Sequence, residues 1–149
     1  MNGKNASMKQ LIWTGLVAGI AAFTSCKQGP QPIRYGYDAC THCKMTIVDK
    51  RFAAEIVTRK GRAYPFDDIA CMVDYIKAGR NSGDVAAIYV SDYNKPDGSF
   101  MEASQAVFFY SEKFNSPMNG NYAAFSQGAS APPADSTLKG PLKWERLLQ

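Results

Sequence analysis

Histidine is nearly absent from this chain of 149 residues, in which His42 is the single example. This scarcity excludes a histidine-rich metal site and any catalytic triad that does not use His42 itself. The excess of positive charge is also small. The net charge is +4, and the lysines and arginines are scattered along the chain. The sequence therefore lacks the basic patch that nucleic-acid binding requires. It is better supplied with sulfur, in four cysteines and six methionines.

No apolar run is long enough to cross a bilayer, which needs about 20 residues. The main candidate, Leu11–Phe23, is shorter and follows two lysines with no acidic residue before it. This pattern predicts a secretory signal peptide over residues 1–25. The whole chain is 46% hydrophobic and 20% charged, so the part after the signal peptide can bury a core.

The signal peptide ends in Phe23-Thr24-Ser25-Cys26, which resembles a bacterial lipobox with phenylalanine where leucine is usual. The resemblance implies cleavage before Cys26, diacylation of its sulfur and acylation of the new amino terminus, which together give stable anchoring. An uncleaved anchor and plain secretion with a free Cys26 remain open as alternatives. The lipoprotein interpretation predicts attachment to the inner or outer membrane, facing the periplasm.

Composition divides the rest of the chain into three parts. Residues 26–37 contain several prolines and glycines and predict a flexible, lipidated tether. Residues 38–127 carry the alternation and turn signals of a folded domain. Residues 128–149 predict a linker followed by a short helix that begins at Pro141, since proline is common in the first turn of a helix.

Strand patterns outnumber helical ones in the folded part. Asp67 or Asp68 suits a helix N-cap, and apolar residues spaced i, i+3, i+4 and i+7 from Ile69 predict an amphipathic helix that ends at Gly79. Pro65 restricts its own strand to a sheet edge or strand end. A strand-strand-helix-strand order is clear over residues 44–91 and looser over 99–125, which predicts an α+β fold with small antiparallel sheets. The predicted strands are Met45–Val48, Arg51–Thr58, Arg62–Phe66, Val85–Ser91, Ser99–Glu102, Ala106–Ser111 and Tyr122–Phe125.

The densest group of reactive residues is Cys40-Thr41-His42-Cys43. Two thiols three residues apart can bind one metal ion or form a disulfide, so the spacing alone is ambiguous. A closed zinc site needs four ligands, and only Cys71 and His42 remain, with His42 directly next to Cys43; zinc is therefore disfavoured. A thioredoxin-like site is also disfavoured, because its cysteines begin a helix whereas a strand pattern follows here.

Met45, two residues after Cys43, favours a different metal. A thioether is neutral and soft, so it contributes little to zinc but suits Cu(I). On a strand over residues 44–48, Cys43 and Met45 would point to the same face, so that both sulfurs could bind one ion. The alternative is a Met45 that packs in the core.

Further motifs occur across roughly residues 35–128, which is most of the chain after the tether. They are Cys40-x-x-Cys43-x-Met45, Phe66-Asp67-Asp68-Ile69-x-Cys71-Met72, Tyr89-Val90-Ser91-Asp92-Tyr93, Ala106-Val107-Phe108-Phe109 and Pro117-Met118-Asn119-Gly120 with Ala124-Phe125. In this order they resemble the NosL family, the copper-binding accessory lipoproteins of nitrous oxide reductase. The resemblance implies tandem strand-strand-helix-strand units and one Cu(I) per monomer. It also implies delivery of the copper to nitrous oxide reductase through a membrane transport complex.

The resemblance also assigns the copper ligands, which fall on Cys43, Met45 and Met118. This sequence departs from the family at Lys44, where glycine is usual, and at Asn119, which interrupts the family's Pro-Met-Gly turn. Lys44 adds a positive charge beside a cationic ion. For Met118 the alternative is an ordinary exposed turn residue.

Other residues near these motifs are weaker candidates. Cys40 is a possible third ligand, or the disulfide partner of Cys43 when no metal is bound, and His42 offers its imidazole as a further ligand. Cys71 is more consistent with a small buried apolar residue, and Met72 belongs to the apolar stripe of the helix. Asp67 and Asp68 are most simply explained as helix caps.

No general base, nucleophile and orienting partner can be assembled from these residues, so we expect no enzyme. The leading hypothesis is a monomeric, lipid-anchored Cu(I) metallochaperone whose partner is a copper-acceptor enzyme. One alternative is a periplasmic thiol-disulfide oxidoreductase that uses Cys40 and Cys43. The other is a structural lipoprotein in which this pair forms a plain disulfide.

Overall fold

A computed structural model describes residues 29–80, 83–95, 97–130 and 132–149. The predicted signal peptide, its cleavage site and Cys26 lie outside the described residues. Among the described helices, none combines the length and apolarity that a membrane span needs.

Seven strands and two α-helices form within the described ranges, with 3₁₀ turns at Ala103–Gln105 and Glu112–Phe114. In chain order the elements are β1 (Ala54–Thr58), β2 (Ala63–Phe66), α1 (Ile69–Lys77), β3 (Val85–Ser91), β4 (Phe100–Glu102), β5 (Ala106–Tyr110), β6 (Tyr122–Ser126), β7 (Lys139–Leu142) and α2 (Trp144–Leu147). The strands form two antiparallel sheets, ordered β2-β1-β3-β4 and β6-β5-β7. This arrangement confirms the predicted α+β class.

The first sheet is built around β1, whose residues are all buried. β1 is paired on both sides, with β2 and with β3. β2 lies at the sheet edge, as expected for a strand that contains Pro65, because proline has no N–H to give to a second neighbour. The edge position of β2 brings its end, and the start of α1 that follows, close to the cysteine loop.

Helix α1 begins and ends where the sequence predicts. The Asp68 carboxylate caps it by accepting a hydrogen bond of 2.8 Å from the amide of Ala70. The apolar stripe is buried against the first sheet and includes Met72, which is fully buried. Gly79 adopts a positive φ of 67° just after the last turn, a conformation that glycine takes without a steric penalty.

The C-terminal residues complete the second sheet and part of the core. β7 pairs with β5, and the side chains of Trp144 and Leu147 in α2 are buried in the main apolar cluster. A smaller cluster of aromatic side chains lies between the second sheet and the residues before β1. Its buried members are Phe52, Phe109, Phe114, Ala123 and Phe125.

Three sequence-based expectations are wrong in detail. The strand expected over Met45–Val48 is reduced to a single bridge between Ala39 and Thr46, because the segment pairs with the loop before it, where Ile47 donates to the carbonyl of Asp38 and accepts from the amide of Gly36. β1 starts at Ala54 rather than Arg51, after a turn. Pro141 lies in β7 rather than starting a helix, which begins at Trp144. The first strand-strand-helix-strand unit is present as β1-β2-α1-β3, whereas 3₁₀ turns take the place of a helix between residues 100 and 126.

Candidate metal centre

The loop from Cys40 to Met45 is closed by its own backbone. The amide of Cys40 donates to the carbonyl of Met45 over 2.8 Å, and the amide of Lys44 donates to the carbonyl of Cys40 over 3.1 Å. Lys44 completes the turn in the left-handed region, where a residue with a Cβ is strained. The amide of Thr41 donates to the carbonyl of Pro65 over 2.8 Å, which ties the loop to the end of β2.

The two aspartates before α1 have different roles. Because Asp68 caps the helix, the Asp67 carboxylate is not needed as a cap and faces the cysteine loop instead. Its two oxygens each lie 3.5 Å from the Cys43 sulfur. Cys71 lies in the first turn of α1, two residues after the start of the helix, and its sulfur is close to the Asp67 carboxylate.

These elements gather four metal-binding groups. The sulfurs of Cys40, Cys43 and Cys71 and a carboxylate oxygen of Asp67 all lie within 4.8 Å of one another. All three cysteines are thiols. Cys40 and Cys71 are buried, at 0% and 3% exposure, whereas Cys43 is partly exposed. The cluster is therefore reached from solvent on the Cys43 side.

A hydrogen bond between two of the thiols shifts their pKa values in opposite directions. A hydrogen bond from Cys71 lowers the pKa of Cys40, with help from the backbone amides of Asp67 and Cys43. The same hydrogen bond, with burial, raises the pKa of Cys71. Burial also raises the pKa of Cys43. Cys40 is therefore the thiol best able to exist as a thiolate, the form that binds metals.

The turn that carries Met118 is held against the start of α1. The Asp68 carboxylate accepts hydrogen bonds from the Ser116 hydroxyl over 2.6 Å and from the Met118 amide over 3.0 Å. Gly120 packs so closely on the helix that a Cβ there would lie 2.2 Å from the Cβ of Ala70. The backbone of Met118 therefore contacts the residue next to Asp67.

The structure brings together only some of the residues that the sequence singles out. Cys40 and Cys43 are in the four-membered group, while the Met45 and Met118 side chains are 58% and 40% exposed. His42 is half-buried, stands outside the group, and its Nδ1 has no hydrogen-bond partner among the described residues. The interpretation of Met45 as a core residue is wrong, because its side chain is in solvent.

Sequence reasoning missed Asp67 and Cys71 as members of the group. It correctly expected Cys71 to be buried, but burial in this case places the thiol against two others. No local signal identifies the pair, because Asp67 lies before the helix cap and Cys71 lies in the first turn of the helix. The arrangement as a whole offers soft sulfur donors with one oxygen donor, which is the chemistry of a site for a thiophilic metal ion.

Comparison with known proteins gives a family match and a similar solved structure. The NosL family model matches residues 35–140. The fold is similar to the crystal structure of the copper chaperone NosL from Shewanella denitrificans, with a TM-score of 0.57 and 21% sequence identity. That match covers 68% of this chain and 81% of the other chain, and at this identity it shows a shared fold. No curated protein sequence matches the chain.

Proposed function

The chain belongs to the NosL family, and from that premise we propose that it is a Cu(I)-binding metallochaperone anchored to the membrane on its periplasmic side. It delivers copper to a copper enzyme, with nitrous oxide reductase and its membrane transport complex as partners. Copper is cargo in this proposal, so the protein is a carrier and not an enzyme. The similar solved structure is itself described as a copper chaperone, which supports the choice of metal.

The observation that carries the proposal is the solvent-facing thiol of Cys43, which lies at the edge of a group of thiols and two residues from the exposed thioether of Met45. Thiolates and thioethers are soft donors that select Cu(I) over the harder divalent ions. A hydrogen bond from Cys71 lowers the pKa of the Cys40 thiol, which favours the thiolate form that binds metals. A site of this kind can bind Cu(I) with little reorganisation of the buried core.

The proposed ligands are Cys43, Met45 and Met118, with Cys40 and His42 as further donors. Cys43 is the most exposed of the three described thiols, and both methionine side chains are exposed. Exposed side chains can turn toward Cys43 without leaving a cavity behind. Their backbones are anchored close by, Met45 through its hydrogen bond to Cys40 and Met118 through its hydrogen bond to Asp68.

Exposed thioether ligands also suit delivery. A neutral thioether can leave the ion without separating charge, so a sulfur or nitrogen ligand of the acceptor can take its place. Cys43 then holds the ion until the acceptor has supplied enough ligands to remove it. With two thioethers in the set, the thiolate count and the negative charge of the complex stay low, which favours release.

The proposed anchor is the acylated Cys26. Residues 29–32, where the described chain begins, are exposed, as a tether would be. The Cys26→Ala variant should lose incorporation of labelled palmitate. Palmitate incorporation retained by this variant would contradict the lipoprotein proposal.

A thiol-disulfide oxidoreductase is the second candidate, because a hydrogen bond from Cys71 lowers the pKa of Cys40. A catalytic thiolate must be reached by its substrate, however, and Cys40 is fully buried. The more exposed partner, Cys43, has a raised pKa because of burial. The redox function therefore receives less support than metal binding does.

A transfer experiment tests the proposed function. The Cys26→Ser chain, loaded with one Cu(I), is mixed without oxygen with copper-free nitrous oxide reductase, and the two proteins are separated for copper analysis. Glutathione-bound Cu(I) at the same concentration is the control. We expect faster copper uptake from the chain than from glutathione. Equal or slower uptake from the chain would contradict delivery.

A further inference from the structure

Although the lysines and arginines are scattered along the sequence, the fold gathers five of them at one end of the first sheet. Some come from the turn between β1 and β2, and the others from the last residue of α1 and the connection that leads to β3. The two connections are in contact, because the amide of Arg59 donates to the carbonyl of Asp84 over 2.9 Å. We call this surface the basic end, and its residues are Arg59, Lys60, Arg62, Lys77 and Arg80.

The charges of the basic end are available to a partner. All five side chains are exposed, and within the described ranges none of them forms an ion pair. The Arg62 guanidinium instead lies over the ring of Tyr64, 4.8 Å from its centroid. The acidic side chains beside these residues are Asp74 and Asp84, so positive charge predominates. An exposed excess of one charge favours a partner of the opposite charge.

The basic end and the candidate metal centre lie at opposite ends of α1. The helix begins beside Asp67 and the cysteine loop, and its nine residues end at Lys77. A helix of this length spans about 13 Å, because each residue adds about 1.5 Å. A flat partner that binds the basic end therefore leaves the cysteine loop uncovered.

The predicted lipid anchor is within reach of the same end. The amide of Gln31 donates to the Glu55 carboxyl over 2.7 Å, which holds the N-terminal segment against β1. Cys26 precedes Gln31 by five residues, which span about 17 Å at most. Arg59 follows Glu55 by four residues, or about 13 Å along a strand. A lipid attached to Cys26 and the basic end can therefore contact one membrane surface.

We propose that the basic end binds the anionic headgroups of phospholipids and that this contact points the candidate metal centre away from the membrane. Each lysine or arginine near an anionic lipid surface strengthens binding by roughly fivefold. A membrane fits this surface better than a nucleic acid does, because the short link to the anchor keeps the basic end beside lipid. The orientation rests on the proposed anchor at Cys26, whereas the binding of the basic end to anionic lipid does not.

Co-sedimentation with lipid vesicles tests the basic end. The chain from residue 27 onward contains every described residue and lacks both the predicted signal peptide and the lipid, so neither can cause binding. We expect it to bind vesicles that contain phosphatidylglycerol about 10-fold or more tightly than vesicles of phosphatidylcholine alone. This binding should be lost at about 1 M salt, where charges are screened beyond about 3 Å. The variant Arg59→Gln/Lys60→Gln/Arg62→Gln should bind about 10-fold or more weakly, and circular dichroism shows whether it is folded.

The matched control is Lys113→Gln/Lys139→Gln/Lys143→Gln, which removes the same charge from exposed positions outside the basic end. It should keep its affinity for anionic vesicles within about twofold, because charges far from the contact are screened. Equal affinity for the two kinds of vesicle, or an equal loss in the two triple variants, would overturn the proposal. Tighter binding to a short DNA duplex than to anionic vesicles would overturn it as well.

Amide hydrogen exchange on anionic vesicles tests the orientation. Exchange should slow over residues 59–62 and stay unchanged over residues 40–45, which form the cysteine loop. Slower exchange over residues 40–45 would overturn the orientation. None of these results affects the incorporation of palmitate at Cys26, so the anchor and the copper proposal stand or fall separately.

Discussion

The Cys43 sulfur lies 3.5 Å from both carboxylate oxygens of Asp67, although the two residues are 24 positions apart in the chain. This contact joins the cysteine loop to the start of α1. It exists because Asp68, and not Asp67, serves as the helix cap. The contact places a carboxylate beside a group of three thiols.

The Asp68 carboxylate should be important for both stability and the Met118 turn. It caps α1 and accepts hydrogen bonds from the Ser116 hydroxyl and the Met118 amide, all in a buried position. Asp68→Ala should lower the free energy of unfolding by about 3 kcal/mol, since it removes a cap and leaves buried donors unsatisfied. Urea denaturation measures this. The exposed Asp74→Ala on the same helix is the control, and an equal effect of the two would contradict the assignment.

Lys44 should be strained in its turn. Its φ of 69° is a conformation that costs a residue with a Cβ roughly 1 kcal/mol or more. Glycine avoids that cost, so Lys44→Gly should raise the free energy of unfolding by about 1 kcal/mol. Lys44→Ala removes the same side chain but keeps the Cβ, and should give no gain. A gain in the alanine variant equal to that in the glycine variant would argue against backbone strain.

The buried Glu55 should make stability depend on pH. Burial raises its pKa from 4.5 to about 7, although the amide of Gln31 donates a hydrogen bond to it over 2.7 Å. Because the folded-state pKa is the higher one, the stabilising effect of the protonated form is complete below pH 4.5 and is lost as pH rises through 7. Glu55→Gln should therefore be more stable than the unsubstituted chain by about 3 kcal/mol at pH 8 and about equal at pH 4.5.

Denaturation at both pH values provides the check on Glu55. The exposed Glu145→Gln is the control and should show the same small difference at each pH. If Glu55→Gln gives no larger gain at pH 8 than at pH 4.5, the carboxyl is not held in an unfavourable environment when charged.

Trp144 should be an essential core residue in spite of its place near the C-terminus. Its indole is buried, and the centroid of its ring lies 5.9 Å from the ring centroid of Phe108 in β5. Trp144→Ala should lower the free energy of unfolding by about 3 kcal/mol because it leaves a cavity between α2 and the second sheet. The exposed Glu145→Ala in the same helix should have little effect. A similar, small loss in both variants would mean that α2 is only loosely attached.

Much of the fold follows from local sequence signals. The strand over Val85–Ser91, the cap at Asp68, the apolar stripe of α1 and the edge position of Pro65 all depend on residues close in sequence. The failures depend on tertiary structure. Pro141 has the features of a helix start, but its segment pairs with β5, and no local signal reveals a strand partner 30 residues away.

The residues of the candidate site also differ in whether the local sequence reveals them or only the tertiary structure does. Cys40 and Cys43 are found from their spacing, because that spacing alone lets two thiols share an ion. Cys71 is correctly expected to be buried, yet its role depends on the loop that packs over it. A prediction that a residue is buried does not indicate which groups are its neighbours. The three-thiol cluster therefore could not be predicted from the sequence.

The most direct test of the central claim is a Cu(I) competition titration of the reduced Cys26→Ser chain against a chelator of known affinity, without oxygen. We expect one tightly bound Cu(I) per chain, with binding weakened by about 100-fold or more in Cys43→Ser and by about 10-fold in each of Met45→Leu and Met118→Leu. Met101→Leu in β4, a methionine outside the proposed ligands, should bind Cu(I) like the unsubstituted chain. Unchanged Cu(I) affinity in Cys43→Ser, Met45→Leu and Met118→Leu alike would show that these residues are not the copper ligands.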